Sequence, residues 1–156
     1  MPQPLVGVEI DQRFQERVSE VWLRAIAEIV LEREGPQGPA ELGLLVTGDD
    51  EVRELNRHYR GMDCTTDVLS FALNEGRDFV VPPDGVLHLG EVIISYPQAE
   101  RQARELDKAT SRELALLLVH GILHLLGHDH AEPVEERRMR AKEQLLLQAI
   151  PGSVAA

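Results

Sequence analysis

Short apolar runs and longer amphipathic segments alternate along the chain, which predicts strands and helices in a mixed order. Four runs of apolar and β-branched residues predict strands, namely LVGVEI (5–10), ELGLLVT (41–47), DVLSFAL (67–73) and VLHLGEVIIS (86–95). Stretches rich in glycine and proline predict loops between them, namely GPQGPA (35–40) and NEGRDFVVPPDG (74–85). The pattern therefore predicts a sheet of about four strands.

Helix-type spacing of apolar residues marks five segments between and after these strands. The first is amphipathic, with apolar side chains three and four residues apart from Phe14 onward, and Gly35 is a suitable end. The second is short and runs to about Tyr59 from Asp49 or Asp50, either of which can cap it. Three more helices follow the fourth strand.

The last helices carry further signals. Ser95 followed by Gln98, and Thr110 followed by Glu113, resemble capping boxes. The helix after Thr110 contains LALLLVHGILHLL, which is apolar nearly all round and predicts a position at the centre of the fold. Few strands beside several helices indicate an α+β protein, in which a small mixed sheet packs with helices around this central helix. A single domain over residues 1–156 is expected.

Composition narrows the class of protein. Cys64 is the only cysteine, which excludes an intrachain disulfide framework and a cysteine-rich zinc site. No apolar run approaches the roughly 20 residues needed to span a bilayer, and the N-terminus lacks the features of a signal peptide, so a cytoplasmic protein is expected. The formal net charge of −11 argues against a generic nucleic-acid binder but leaves room for a local basic groove.

Four of the six histidines lie within HGILHLLGHDH, residues 120–130. His120 and His124 are one helical turn apart on one face, and Gly127 is a natural left-handed end to the helix, after which His130 can return to the same point. Three neutral imidazoles and a water make a catalytic-type zinc site, and a shared metal offsets the cost of burying imidazoles in an apolar helix. We therefore predict one Zn²⁺ ion held by His120, His124 and His130.

The spacing His-x-x-x-His-x-x-Gly-x-x-His is that of zincin-like metalloproteases, with one change. Those enzymes place a glutamate, the general base, directly after the first histidine, and this chain has Gly121 there. Metal binding is thus predicted without the peptidase base. Among the neighbouring polar residues, His128 is expected at the surface and His88 to be structural, whereas Asp129 is either an acceptor for a ligand imidazole or a solvated turn residue.

A second informative stretch is locally basic within this acidic chain. Residues 53–60 hold Arg53, Arg57 and Arg60 against Glu54 alone, a local net charge of +2. Arginine suits bidentate contact with phosphate. Arg53 and Arg57 are expected to form a solvated helix face, whereas Arg60 lies at the junction of helix and loop, where functional residues concentrate.

The segments LNRHYRGMD..TDVLSF, LGEVIIS and HGILHLLGHDH, in this order between residues 55 and 130, resemble the YbeY family of bacterial endoribonucleases and ribosomal-RNA maturation factors. The resemblance implies a zinc-dependent endoribonuclease specific for single strands, which acts in maturation of the 3′ end of 16S rRNA and in ribosome quality control. By position, His120, His124 and His130 match the family's metal ligands, and Arg60 matches its functional arginine. The implied partners are ribosomal RNA and the small ribosomal subunit or its assembly factors, with no membrane.

Two positions depart from the family's pattern. Thr65 stands where proline usually precedes TDVLSF, which should loosen a turn. Glu91 stands where aspartate usually follows LG, which keeps the charge. Neither is a predicted ligand, so the predicted site is unaffected.

The chemistry leaves alternatives open. Arg60 is expected to stabilise charge that develops on the phosphate. Asp129, Glu91 and Asp63 are candidates for the general base by residue type, or else the RNA's own 2′-hydroxyl is the nucleophile and no water-activating base is needed. Two other classes of function compete with the nuclease. One is a metallopeptidase, which Gly121 disfavours, and the other is a non-catalytic ribosome assembly factor in which zinc only braces the fold.

Overall fold

The chain forms a four-stranded sheet with helices on both faces in the computed structural model, which describes residues 5–36, 38–73, 85–128 and 132–150. The strands in these ranges are β1 (Leu5–Ile10), β2 (Ala40–Thr47), β3 (Val68–Ala72) and β4 (Leu87–Ser95). The helices are a 3-10 turn (Gln12–Phe14), α1 (Glu20–Glu34), α2 (Asp49–Arg60), α3 (Tyr96–Glu105), α4 (Thr110–Leu125) and α5 (Pro133–Gln148). The predicted α+β class is confirmed. None of these helices is long and apolar enough to cross a membrane.

The sheet is mixed, with the strand order β1-β2-β4-β3. Strand β2 pairs in parallel with β1 and with β4, and α1 supplies the crossover that the parallel β1–β2 pair needs. Strand β3 runs antiparallel to β4, with Val68 opposite Ile94 and Ala72 opposite Gly90. Among the described strands β3 therefore forms one edge of the sheet, and this edge lies beside the candidate site.

The two faces of the sheet carry separate apolar layers. Successive side chains of a strand point to opposite faces, so Val92 and Ile94 of β4 belong to the main core with α1 and α4. Ile93 packs instead with Val52 of α2 and Leu69 of β3. Helix α2 therefore lies on the face of the sheet opposite to α4.

Helix α4 lies within the main core, as its apolar sequence predicts. Gly121 lets the helix approach the sheet closely, because a Cβ atom there would lie 2.7 Å from Cγ1 of Val92 and 3.2 Å from Oγ of Ser70. The Ser70 hydroxyl donates a hydrogen bond of 3.0 Å to the Gly121 carbonyl oxygen and so joins β3 to this helix. The residue that follows His120 is thus committed to packing.

The end of α4 is the left-handed turn that Gly127 predicts. Gly127 has a φ of 95°, and its N–H donates to the carbonyl of His124 at 3.0 Å. The N–H of His128 donates to the carbonyl of Leu123, also at 3.0 Å. This pair of bonds satisfies two carbonyls at the helix end and redirects the chain directly after the second histidine.

The start of α1 differs from the prediction. The helix begins at Glu20 rather than near Phe14, which belongs to the preceding 3-10 turn. The reason is local, because the Ser19 hydroxyl accepts a hydrogen bond from the N–H of Trp22 at 3.2 Å and caps the helix at that point. The spacing of apolar residues continues across Ser19, so it does not by itself predict where the helix begins.

The two predicted capping boxes have different outcomes. The Ser95 hydroxyl accepts a hydrogen bond from the N–H of Gln98 at 3.3 Å, which confirms the cap of α3. The predicted cap at Thr110 is wrong, since Ala109 occupies the cap position of α4 without a side-chain hydrogen bond. Of the predicted loop at 74–85, residues 74–84 lie outside the described residues.

Asp49 braces the start of α2 instead of capping it, because Gly48 occupies the cap position. Its carboxylate accepts hydrogen bonds from Ser95 at 2.7 Å and Thr65 at 3.3 Å, and pairs with Arg101 at 2.8 Å. Burial raises the pKa of Asp49, but the hydrogen bonds from Ser95 and Arg101 outweigh this and hold the pKa below its usual value. The hydroxyl of Thr65 thus anchors the segment before β3, where a proline would offer no such bond.

Gly90 is required where β3 joins the sheet. Its φ is 133°, and it lies beside an irregularity in the pairing of β2 with β4. A Cβ atom at this position would lie 1.9 Å from the carbonyl oxygen of Phe71. Only glycine permits both this conformation and this approach, so the glycine of the LGEVIIS segment seats the edge strand against β4.

Candidate metal centre and its surroundings

His120 and His124 face each other on one side of α4, near its C-terminal end. Their Nε2 atoms are 3.1 Å apart, and the rings meet edge to face with centroids 4.6 Å apart. Both side chains are half-buried. The structure thus brings together the two histidines that the four-residue spacing places on one face, while their role as ligands stays a prediction.

Glu143, on α5, is a residue of this site that the sequence analysis missed. Its Oε1 atom lies 2.6 Å from Nδ1 of His120, and the residue is only 7% exposed. Glu143 shares the buried side of α5 with Met139 and Leu146, at helical spacings of four and three. A glutamate in an apolar stripe is costly to bury unless it is paired, and this is the signal from which Glu143 could have been found.

A carboxylate partner at Nδ1 of His120 favours one tautomer of this imidazole. In the tautomer that suits a carboxylate acceptor, Nδ1 of His120 donates to Glu143 and the lone pair of Nε2 is directed toward His124, as a metal ligand requires. Two nitrogens at the tetrahedral angle on one zinc ion, each about 2.0–2.1 Å from it, are about 3.3 Å apart. The observed 3.1 Å separation matches this geometry, and a carboxylate on the second nitrogen is usual for histidine ligands of zinc. The residues therefore fit the predicted metal.

The third predicted ligand, His130, and its neighbour Asp129 lie outside the described residues. In the part of the chain that is described, no three His, Cys, Asp or Glu side chains converge in a way that could hold a metal ion. The complete ligand set of His120, His124 and His130 accordingly stays a prediction. The turn at Gly127 supports the path of the chain that this prediction requires.

The other two histidines considered as alternatives have carboxylate neighbours of their own. Nε2 of His128 lies 4.0 Å from the carboxylate of Glu34, and burial lowers the pKa of His128. Nδ1 of His88, on β4, lies 3.2 Å from the carboxylate of Glu41 on the adjacent strand β2. His128 is thus half-buried rather than at the surface as predicted, and the contact of His88 across the sheet fits the structural role expected of it.

Two of the three candidate general bases lie away from the histidine pair. The carboxylate of Asp63 pairs with Arg53 at 2.8 Å, and this hydrogen bond lowers the pKa of Asp63. Glu91 lies next to Gly43 on the face of the sheet that carries α2, because its neighbour Val92 faces α4. Neither carboxylate therefore shares a face with the histidines.

The position that holds the base in zincin-type peptidases is also closed. Gly121 is buried and faces β3 and β4, so a side chain at this position would meet Val92 rather than the histidine pair. A glutamate there would be driven into the sheet, where an unpaired carboxylate is strongly unfavourable. This packing counts against the metallopeptidase alternative.

Arg60 is the last residue of α2 and is exposed. The other two arginines of this helix are paired, Arg53 with Asp63 and Arg57 with Glu54. The side chain of Arg60 takes part in no ion pair with any residue in the described ranges. Because α2 and α4 lie on opposite faces of the sheet, the structure does not bring Arg60 into contact with the histidines.

The edge strand β3 connects the surroundings of Arg60 with those of the histidines. On one side Ser70 is bonded to Gly121, the residue next to His120. On the other side the ring of Phe71 packs 5.1 Å from the ring of Tyr59, the residue before Arg60. The surroundings of Arg60 and of the histidine pair are therefore linked through consecutive residues of β3, on opposite faces of this strand.

Comparison with known proteins extends this description. Residues 8–151 match the sequence profile of a family described as endoribonuclease YbeY. Relatives described in the same words include proteins from Dehalococcoides mccartyi (43% identity over 93% of this chain and 89% of the relative), Roseiflexus castenholzii (43%, 94% and 92%) and Chloroflexus aurantiacus (47%, 83% and 84%).

The fold is also similar to a solved structure. The solution structure of a protein from Thermotoga maritima superposes with a TM-score of 0.67 at 28% identity, over 97% of this chain and 92% of that one. The matches thus extend well beyond the short motifs, to the sheet, the arginine-bearing α2 and the histidine-bearing α4. The chain belongs to the YbeY endoribonuclease family.

Proposed function

We propose that this protein is a zinc-dependent, single-strand-specific endoribonuclease that matures the 3′ end of 16S rRNA and takes part in ribosome quality control. The RNA-cleaving activity is supported by membership of a family whose relatives are described as endoribonucleases. Zinc dependence and the role in ribosome maturation are the parts of the proposal that go beyond family membership. The observation that carries the zinc proposal is the His120–His124 pair, backed by the buried carboxylate of Glu143.

In this proposal His120, His124 and His130 hold the zinc ion. Glu143 accepts the Nδ1 proton of His120, so that the ring is oriented and its Nε2 lone pair faces His124. When bound, zinc supplies Lewis acidity toward a water molecule or a phosphoryl oxygen. The half-buried position of the histidines on α4 leaves the site within reach of an RNA strand at the edge of the sheet.

The source of the nucleophile is narrowed by the geometry. Asp63 is paired with Arg53, and Glu91 faces the α2 side of the sheet, so neither is placed to activate a water molecule at the histidines. Two of the earlier candidates remain. They are Asp129, next to the third predicted ligand, and the 2′-hydroxyl of the RNA, which needs no water-activating base.

Cleavage of an end-labelled RNA that covers the 3′ end of 16S rRNA tests the proposal. We expect the zinc-loaded protein to cut unpaired segments, the chelator-treated protein to lose this activity, and added Zn²⁺ to restore it. Equal cleavage with and without chelator would indicate a metal-independent reaction or a contaminating nuclease. No cleavage by fully zinc-loaded protein would favour the non-catalytic assembly factor, in which zinc braces the fold.

Arg60→Ala is expected to lower kcat/KM for RNA cleavage by about a hundredfold or more without changing the zinc content. The guanidinium has no carboxylate partner among the described residues, so it is available to a phosphate of the substrate. Removing one charged donor from a phosphate that gains charge costs about a hundredfold or more when the contact is made in the transition state. Steady-state cleavage of a short labelled RNA measures the effect.

Arg53→Ala is the matched control for this prediction. It removes the same charge from the same helix, but its guanidinium is exposed and already paired with Asp63. Surface pairs of this kind contribute little, so cleavage should stay within about twofold of the wild type. Equal losses in both variants would mean that Arg60 acts only through the general charge of the helix, and unchanged cleavage in Arg60→Ala would remove it from the mechanism.

The acidic chain also bears on its partners. With a net charge of −11, long-range attraction to free RNA is weak, and affinity is expected to come largely from docking on the small ribosomal subunit or an assembly factor. The C-terminal part of α2, residues 53–60, carries a local net charge of +2. In this proposal the RNA contacts that end of α2 through Arg60.

A further inference from the structure

Tyr59 is a large aromatic side chain that the fold leaves in solvent. The residue is 63% exposed. Its ring packs 5.1 Å from the ring of Phe71 on β3 and meets the ring of His58 edge to face at 4.7 Å. These contacts hold the tyrosine ring in place while most of its surface stays accessible. An aromatic ring that is both anchored and exposed is suited to contact with a ligand.

Two other exposed apolar side chains come just after the elements that carry these rings, α2 and β3. Met62, three residues after Tyr59, is 49% exposed, and Leu73 is 70% exposed. The N–H of Leu73 donates to the carbonyl of Leu89 at 3.1 Å, so Leu73 continues the pairing of β3 with β4 and falls on the same face as Phe71. The surface formed by Tyr59, Phe71, Met62 and Leu73 is named the edge patch.

The charge beside the edge patch favours a polyanion. Arg60 directly follows Tyr59 and has no ion-pair partner among the described residues. Arg33, Arg112, Arg137 and Arg138 also lack an ion pair among the described residues, but of these arginines Arg60 is the one that directly follows an exposed tyrosine. Aromatic faces next to arginine are the common means of holding single-stranded nucleic acid, because the ring stacks on a base while the cation contacts the backbone.

We propose that the ring of Tyr59 is a stacking subsite for one unpaired nucleobase of RNA, with Arg60 on an adjacent phosphate. This inference rests on the proposed endoribonuclease function. The subsite and the residue next to His120 lie on opposite faces of β3, because Phe71, which contacts Tyr59, and Ser70, which is bonded to Gly121, are consecutive on this strand. A strand that crosses this edge presents a base to Tyr59 and a phosphodiester to the histidines.

The subsite gives a physical reason for selectivity toward unpaired RNA. A base can stack on a side chain only when it is free of its own helical stack, whereas any of the four bases has a face to offer. Among the described residues the edge patch consists of four side chains, which suits one stacked base better than a stable protein interface of about 20–30 residues a side. A nucleobase is therefore the occupant that fits both its size and its charge.

Binding of a short single-stranded RNA to the zinc-loaded protein tests the subsite. The RNA carries 2-aminopurine at one position, whose fluorescence falls on stacking, and a parallel series carries one abasic nucleotide at each position in turn. The proteins are the wild type, Tyr59→Phe, which keeps the ring, and Tyr59→Leu, which keeps only apolar bulk. Leu106→Ala is the control, since Leu106 is 64% exposed and lies at the end of α3. RNA recovered from each titration is checked for integrity.

We expect Tyr59→Leu to raise the Kd about 5- to 100-fold, the range for loss of one base–aromatic stack, and Tyr59→Phe and Leu106→Ala to bind like the wild type. One abasic position should weaken wild-type binding by the same factor and have no further effect in Tyr59→Leu, because both changes remove the same contact. Unchanged affinity in Tyr59→Leu, or losses that simply add at every position, would overturn the subsite and leave the edge patch to a protein partner. This result does not depend on cleavage, so a wild type that binds with the expected coupling but never cuts would contradict the nuclease and retain the subsite.

Discussion

Alanine in place of His124 is expected to remove both zinc binding and RNA cleavage. The change deletes one of the two ring nitrogens that lie 3.1 Å apart, and so leaves at most two of the three predicted ligands. Loss of even an outer partner of a ligand histidine costs about 10–100-fold in metal affinity or activity, so we expect cleavage to fall by more than about a hundredfold. Zinc per protein chain, measured by atomic emission on the same sample, should fall to background.

Glu143→Gln gives a graded companion to this result. The amide keeps the shape of the side chain but loses the charge that accepts the proton of His120 at 2.6 Å. We expect zinc affinity to fall by about 10–100-fold while the fold persists. His88→Ala serves as the control, since that imidazole pairs with Glu41 on the sheet and should leave the zinc content unchanged.

A His124→Ala protein that kept its zinc and its cleavage rate would locate the reaction elsewhere in the molecule.

Gly90→Ala adds only one methyl group, yet it is expected to lower the free energy of unfolding strongly. The backbone has a φ of 133°, and the new Cβ would lie 1.9 Å from the Phe71 carbonyl oxygen. A strained backbone costs about 1–3 kcal/mol and overpacking about as much again, so the free energy of unfolding should drop by about 2–6 kcal/mol. Since small proteins have about 5–15 kcal/mol in total, this is a large share. Denaturant unfolding followed by fluorescence of Trp22, the only tryptophan, measures it.

Gly7→Ala on β1 is the matched control for the change at Gly90. A Cβ at Gly7 has nothing within 4 Å, so only the intrinsic cost of glycine in a strand is relieved. The free energy of unfolding should stay constant or rise by about 0.5–1 kcal/mol. If both variants unfolded at the same denaturant concentration, the close contact between β3 and β4 at Gly90 would be wrong.

The elements and the histidine pair are predictable because their signals are local. Four strands follow from short apolar runs, and the meeting of His120 with His124 follows from a spacing of one helical turn. The left-handed turn at Gly127 is equally local. Errors arose where a short-range competitor intervened, as when Ser19 capped α1 in the middle of an apolar pattern.

The remainder depends on contacts between distant parts of the chain. Glu143 reaches His120 from 23 positions away, and no periodicity pairs those two residues. The strand order also depends on contacts between distant parts of the chain. The same contacts determine that the sheet separates Arg60 from the histidines. The sequence predicts both parts of the site, but the way in which they share the edge strand β3 is a property of the fold.

The packing of Gly121 restricts how this histidine motif can evolve. Replacing Gly121 by glutamate would complete the sequence pattern of the peptidases. The new side chain, however, would collide with Val92 and Ser70 inside the fold. A protein with glutamate at position 121 would lose stability before it gained any new activity, so selection would remove it. Nuclease and peptidase can therefore share a ligand spacing while a fitness valley separates them, and a lineage could cross it only after α4 had moved away from β3.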